Sequence, residues 1–326
     1  MNKKKIPLLI LDTNVWRYIL DAESNDRVRQ SAISAKVQIA MPPCILFEMF
    51  RLEDKDLRSR LLELATYQGW KRLMPEAFAE AMELQREIER LHPSWISKDA
   101  DLSWTNQNYW DWRKKKGGFW DRVRTQPDQV AEYVNKSESE DIEKARNQRV
   151  AARRMSEEAG WVFHDLDLDR IVAYEAGDPG EVREAFQPWR VAGKNVFESV
   201  LRGRKDHPYY DWIVPLLDLR QIMMERDDWD DFWLRKIDAT HMPRWWISWA
   251  MEMYTATRKV NTGTAFDIQL ATYFVEVDHV VTADKVFHSL VQACRKYAPI
   301  QMAESHLISA GNTGIEELVL LINEII

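Results

Sequence analysis

Two short apolar runs that stop on an aspartate constrain this chain most: Pro7-Leu-Leu-Ile-Leu-Asp12 near one end and Val280-Val-Thr-Ala-Asp284 near the other. Apolar without alternation and too short for a core helix, they read as strands buried on both faces. Such strands are parallel and need helical crossovers, so both ends of the chain are expected to share an α/β sheet. Ile6 to Leu11 reads as the first strand, and a helix follows from Thr13-Asn14 to about Leu20. Arg27 to Ala35 reads as helix, Lys36 to Met41 as strand, and Pro42-Pro43 as the first turn of a further helix, where proline is tolerated. Leu57 to Tyr67 has the apolar spacing of an amphipathic helix. At the other end, Thr264 to Phe274, Asp284 to Lys296 and Gly314 to Ile326 read as helices, and His279 to Thr282 and Ile300 to Ile308 as strands.

The middle differs. Fourteen of the fifteen tryptophans fall between Trp70 and Lys259, in a stretch rich in Glu, Arg, Lys and Gln. Helices are expected over Glu76 to Leu91, Glu138 to Glu158, Glu181 to Leu201, Trp212 to Glu225 and Pro243 to Thr257, with residues 94–118 irregular. The expected organisation is therefore a parallel-sheet domain flanked by helices (1–75 and 260–326), interrupted by a large, mostly α-helical, Trp-rich insertion (76–259).

Four acids stand out against this frame. Asp12 and Asp284 end the two apolar runs, Glu48 lies inside Ile45-Leu-Phe-Glu-Met-Phe50, and Asp267 lies inside Ala265-Phe-Asp-Ile-Gln-Leu-Ala271. An aspartate after a strand is commonly a helix cap, so Asp12 or Asp284 alone reads first as a cap. Glu48 and Asp267 sit among apolar neighbours, where acids are rarely buried without a partner. Together, carboxylates at strand ends and on neighbouring helices meet in the crevice where open α/β sheets place their sites. Such a cluster calls for a cation, its hard oxygens select Mg²⁺ or Mn²⁺, and the chemistry it best supports is metal-assisted phosphodiester hydrolysis.

The same residues resemble the PIN-domain ribonucleases, the family that includes VapC-type toxins. Leu9-Ile-Leu-Asp-Thr-Asn-Val15 is similar to that family's opening strand, and Phe266-Asp-Ile-Gln-Leu-Ala-Thr272 with Val280-Val-Thr-Ala-Asp-Lys-Val-Phe287 to its closing pair. The resemblance implies that Asp12, Glu48, Asp267 and Asp284 are the catalytic, metal-holding acids, with Asn14 and Thr282 as uncharged supports. It implies a metal-dependent endoribonuclease with RNA as substrate, acting as a toxin or defence effector, with an antitoxin or other regulatory protein, or a second copy of the chain, as partner. The resemblance covers residues 6–75 and 260–326. It departs in spacing: Glu48 and Asp267 stand more than two hundred positions apart, far beyond family members of ordinary size. Two rival readings remain, a catalytically idle PIN-like module that binds RNA or protein, and a structure-specific DNA nuclease.

Within the insertion, Trp104, Tyr109, Trp110, Trp112, Phe119 and Trp120 surround Arg113, Lys114, Lys115 and Lys116. Basic residues beside rings suit single-stranded RNA, although most of the rings read as core. Trp245, Trp246 and Trp249 are spaced like one helix face. A net charge of −7 argues against broad nucleic-acid coating. Two cysteines, Cys44 and Cys294, give no disulfide framework and read as core. The seven histidines show no paired spacing of a zinc site, and His279 and His288 read as structural. No apolar run is long enough to span a bilayer, and the run after Met1-Asn-Lys-Lys-Lys5 is too short for a signal peptide, so a cytoplasmic protein with no membrane partner is expected.

Overall fold

All four residues of strand β1 (Leu8–Leu11) are apolar and buried, as befits a central strand covered on both faces. The computed structural model describes residues 6–158, 160, 168, 188–201, 209–256 and 263–325. After β1 come α1 (Thr13–Asp21), α2 (Asn25–Ser34), β2 (Gln38–Met41), α3 (Pro43–Phe50), α4 (Lys55–Ala65), β3 (Lys71–Arg72) and α5 (Glu76–Leu91). Then follow α6 (Ser103–Arg113), α7 (Phe119–Thr125), α8 (Pro127–Glu158), α9 (Pro188–Leu201), α10 (Tyr210–Ile213), α11 (Leu219–Met224), α12 (Arg226–Asp231) and α13 (Pro243–Ala256). The last elements are α14 (Thr264–Thr272), β4 (His279–Thr282), α15 (Lys285–Tyr297), β5 (Glu304–Leu307) and α16 (Gly311–Glu324).

The strands form one five-stranded parallel sheet in the order β3-β2-β1-β4-β5. The fold is thus α/β, as the apolar runs require. From β1 the chain steps outward to β2 and β3, then returns to the other side of β1 for β4 and β5. That reversal makes a topological switch point between β1 and β4, and ligands of open α/β sheets bind beyond the carboxyl ends at such a point. Helix α1 buries Val15, Trp16, Ile19 and Leu20 against the sheet, and the Trp16 indole N–H donates to the Leu11 carbonyl at 2.9 Å. This fixes how the chain turns from β1 into α1. Helix α15 buries Phe287, Leu290, Val291 and Cys294, three or four residues apart on one side. Cys44 and Cys294 are both free and buried.

The structure departs from the sequence expectations in three places. Strand β3, only Lys71 and Arg72, has no apolar signal and is read from the sheet alone. Residues 94–118 are not irregular throughout, because α6 occupies Ser103–Arg113 and buries no residue; a helix without an apolar stripe leaves no periodicity to see. The helix expected over 212–225 is broken. A 3-10 turn at Val214–Leu216 contains Pro215, and α11 starts only where Asp218 accepts from the Gln221 N–H. Of the helix expected over 181–201, residues 181–187 lie outside the described residues, as does the expected domain junction at 259–260.

One hydrophobic cluster runs from β1, β2 and β4 into Trp95, Trp229, Trp233, Trp245 and Trp249. Trp95 meets Trp229 at 5.5 Å between ring centroids and Trp233 meets Trp245 at 5.6 Å. The Trp-rich stretch is therefore packed onto the sheet through α3 and α14, against which α8 and α13 lie. Among the described residues, no helix is long and apolar enough to cross a membrane.

Candidate functional site

Asp12 follows β1 directly, and its backbone N–H donates to the Val281 carbonyl at 2.9 Å, tying the carboxyl ends of β1 and β4 together. The side chain is 7% exposed and caps α1. Its Oδ1 accepts from the Thr13 N–H at 2.7 Å, and its Oδ2 accepts from Asn14 Nδ2 at 2.9 Å and from the Thr282 hydroxyl at 2.6 Å. Asn14 Oδ1 in turn accepts from the Ala283 N–H at 3.1 Å, and the Thr282 hydroxyl accepts from the Asp284 N–H at 2.9 Å. Asn14 thus holds Asp12 with its Nδ2 and the β4–α15 turn with its Oδ1, and the single hydroxyl of Thr282 does both by donating to one and accepting from the other.

Asp284, exposed, caps α15 through Oδ1, which accepts from the Val286 N–H at 2.6 Å and the Phe287 N–H at 3.1 Å. Its Oδ2 accepts no hydrogen bond among the described residues. Glu48, half-buried on α3, accepts from the Thr13 hydroxyl at 2.5 Å through Oε2, and its Oε1 is similarly open. Asp267 is half-buried in the first turn of α14, which packs against α3, the helix that carries Glu48.

Burial pushes Asp12 above the usual carboxylate range; its three neutral donors pull it back in part, and the charge of Asp284 adds to the rise. Burial likewise raises Glu48, opposed by the Thr13 hydroxyl and by Arg51 and reinforced by Asp12. Asp12, Glu48 and Asp284 enter no ion pair among the described residues. Three negative groups that feel one another, held by neutral donors and with two open oxygens, form a donor set that suits a hard divalent cation. No three of the four acids bring oxygens within 4.8 Å of one another. The acids therefore do not close a ligand shell by themselves, and a cation held here would keep several of its own waters.

Thr13 has a part that sequence reasoning missed. It stands between two acids, lending its N–H to Asp12 and its hydroxyl to Glu48. The signal was its position directly after Asp12. Sequence reasoning also missed the glutamates of α5. Glu80, Glu83 and Glu87 are each at most 3% exposed, and their partners come from distant stretches of the chain. The Tyr209 hydroxyl donates to Glu80, Arg244 pairs with Glu83, and His241 meets Glu87 at 3.1 Å beside the nearby Arg90.

Arg113 ends α6 and Lys114, Lys115 and Lys116 follow it; all four are exposed and form no ion pair among the described residues. Of the rings around them Trp104 and Trp110 are 54% and 56% exposed, whereas Phe119 and Trp120 are core. His279 and His306, separate in sequence, meet with Nδ1 and Nε2 at 3.0 Å, and burial holds His306 below the usual histidine range. His288 is structural, its Nδ1 lying 2.8 Å from Ser305 Oγ. No protein-family model, no curated protein and no solved structure matches this chain.

Proposed function

We propose that this chain is a PIN-type, metal-dependent endoribonuclease that hydrolyses RNA phosphodiester bonds with Mg²⁺ or Mn²⁺. The observation that carries the reading is that Asp12 and Asp284 lie close at the β1–β4 switch point, that Thr13 joins Glu48 to the same corner, and that none of the three acids enters an ion pair among the described residues. Asp12 and Asp284 would hold the metal directly, and Glu48 and Asp267 directly or through water. When bound, the cation supplies an acidified water and charge neutralisation at the scissile phosphate. Asn14 and Thr282 keep the Asp12 carboxylate turned to the crevice, and Thr13 does the same for Glu48. Arg113 to Lys116 give the acidic chain a local contact for phosphates. A toxin or defence effector, restrained by an antitoxin, is the setting this reading implies.

The test is cleavage of a labelled single-stranded RNA in Mg²⁺ by wild type, Asp12→Asn and Asp284→Asn. Wild type should cut, and EDTA should abolish the cut until Mg²⁺ or Mn²⁺ is restored. Loss of a carboxylate that secures several kcal/mol of metal stabilisation should slow cleavage about 10³-fold. Equal rates in both variants, or full activity in EDTA, would overturn the reading. RNA binding without cleavage by wild type would favour an idle binding module. Cleavage confined to a DNA strand of the same sequence would favour a DNA nuclease.

A further inference from the structure

We propose that His279, Glu304 and His306 form a second cation site, suited to Zn²⁺ or a similar transition metal, that fastens edge strand β5 to β4. The inference is independent of the nuclease reading.

The register of the two strands makes the cluster. His279 pairs with Glu304 and Val281 pairs with His306. Side chains alternate along a strand, so His279, Glu304 and His306 share one face of the sheet. Ser305 points to the other face, where it meets His288. One ligand atom from each of the three residues lies within 4.8 Å of the other two, the only such triad among the described residues. His279 Nδ1 lies 3.0 Å from His306 Nε2 and 3.9 Å from Glu304 Oε2. Ligands at zinc–nitrogen distances around a tetrahedral ion stand roughly 3.3 Å apart, and the two observed separations bracket that edge.

The donor types choose the metal. Two imidazoles with one carboxylate suit zinc, nickel or copper, whereas the all-carboxylate set at the other end of β4 suits magnesium or manganese. The glutamate side chain is 58% exposed and that of His279 only 19%. The two rings thus form a fixed inner wall, and water can fill the remaining position. His279 lies three residues before Thr282, about 10 Å along the strand, so the two sites are separate. Strand β5 has four residues and one strand neighbour. A metal across β4 and β5 would tie down an edge held otherwise by backbone pairing and α15.

Calorimetric Zn²⁺ titration in excess Mg²⁺, which occupies the carboxylate site, tests this together with the visible spectrum of the Co²⁺-loaded protein. Wild type should bind one Zn²⁺, and Co²⁺ should give the intense visible bands of low-coordinate nitrogen ligation. Loss of a partner outside the coordination sphere costs a metal site about 10–100-fold. His306→Gln and His279→Gln should therefore weaken Zn²⁺ binding at least that much and abolish the Co²⁺ bands. If His306→Gln fails to fold, Glu304→Gln, a change at an exposed side chain, must still weaken binding about tenfold. A wild type that binds no Zn²⁺, or unchanged affinity in both His279→Gln and Glu304→Gln, would overturn the proposal and leave a simple histidine–histidine hydrogen bond.

Discussion

Asp12 at the end of β1 and Glu83 in the middle of α5 are both carboxylates withdrawn from water, yet their surroundings differ in kind. Glu83 receives the guanidinium of Arg244 as well as the Arg244 backbone N–H at 3.1 Å, and the same guanidinium reaches Glu276. Glu87 has Arg90 and, at 3.1 Å, His241. Asp12 is held only by two N–H groups and a hydroxyl, and Glu48 by a hydroxyl, with Arg51 acting on it but forming no ion pair. A buried charge is tolerated when it is paired and hydrogen-bonded. Glu83 and Glu87 thus have their counter-charges from the protein itself. The sheet corner has no such ion pair among the described residues, a feature it shares with Glu80, which is held by the Tyr209 hydroxyl.

Removing the internal cation should do the most damage. Arg244→Met leaves Glu83 and Glu276 without their counter-charge, and breaking a buried pair from one side costs about 3–5 kcal/mol. Urea unfolding measures this, and a loss below about 1 kcal/mol would erase the contrast. A comparable, pH-dependent effect belongs to Glu80, which burial pushes up to about 8 against the pull of the Tyr209 hydroxyl. Its folded-state proton affinity exceeds that of the unfolded chain. Its contribution to stability is therefore complete below about pH 4.5 and is lost as pH rises through about 8. Each tenfold change in proton affinity is worth about 1.4 kcal/mol, so Glu80→Gln should visibly flatten the fall of melting temperature between about pH 5 and 8. Identical pH profiles for variant and wild type would show that Glu80 does not hold its proton. Smallest is the effect of the basic tetrad. Changing Arg113, Lys114, Lys115 and Lys116 to Ala should leave the melting temperature unchanged and flatten the salt dependence of RNA binding by about 0.7 for each lost phosphate contact. The same slope in both proteins would make the stretch a solvated turn.

Which acids could be read from the sequence follows the same division. Asp12 and Asp284 end apolar runs that can only be strands, and Glu48 and Asp267 interrupt apolar helices, so all four are visible without a structure. Glu80, Glu83 and Glu87 are not, because charged residues at helical spacing normally mark a solvated face. Their partners Tyr209 and Arg244 lie more than a hundred residues away. The histidine pair is hidden for a like reason: 27 residues separate His279 from His306, and only the pairing of β4 with β5 closes the gap. Strand β3 and helix α6 escape a sequence reading because neither carries apolar periodicity, the signal on which the other elements rest.

Mn²⁺ binding, followed by electron paramagnetic resonance for wild type and Asp12→Asn, tests most directly whether the sheet corner lacks a cation. Both proteins should carry His306→Gln, so that the histidine cluster does not contribute. The account predicts that the protein retaining Asp12 takes up one or two Mn²⁺ ions, which Mg²⁺ displaces. The Asp12→Asn variant should bind them at least about tenfold more weakly, each tenfold being about 1.4 kcal/mol. Equal Mn²⁺ affinity in the two, or no uptake by either, would contradict it.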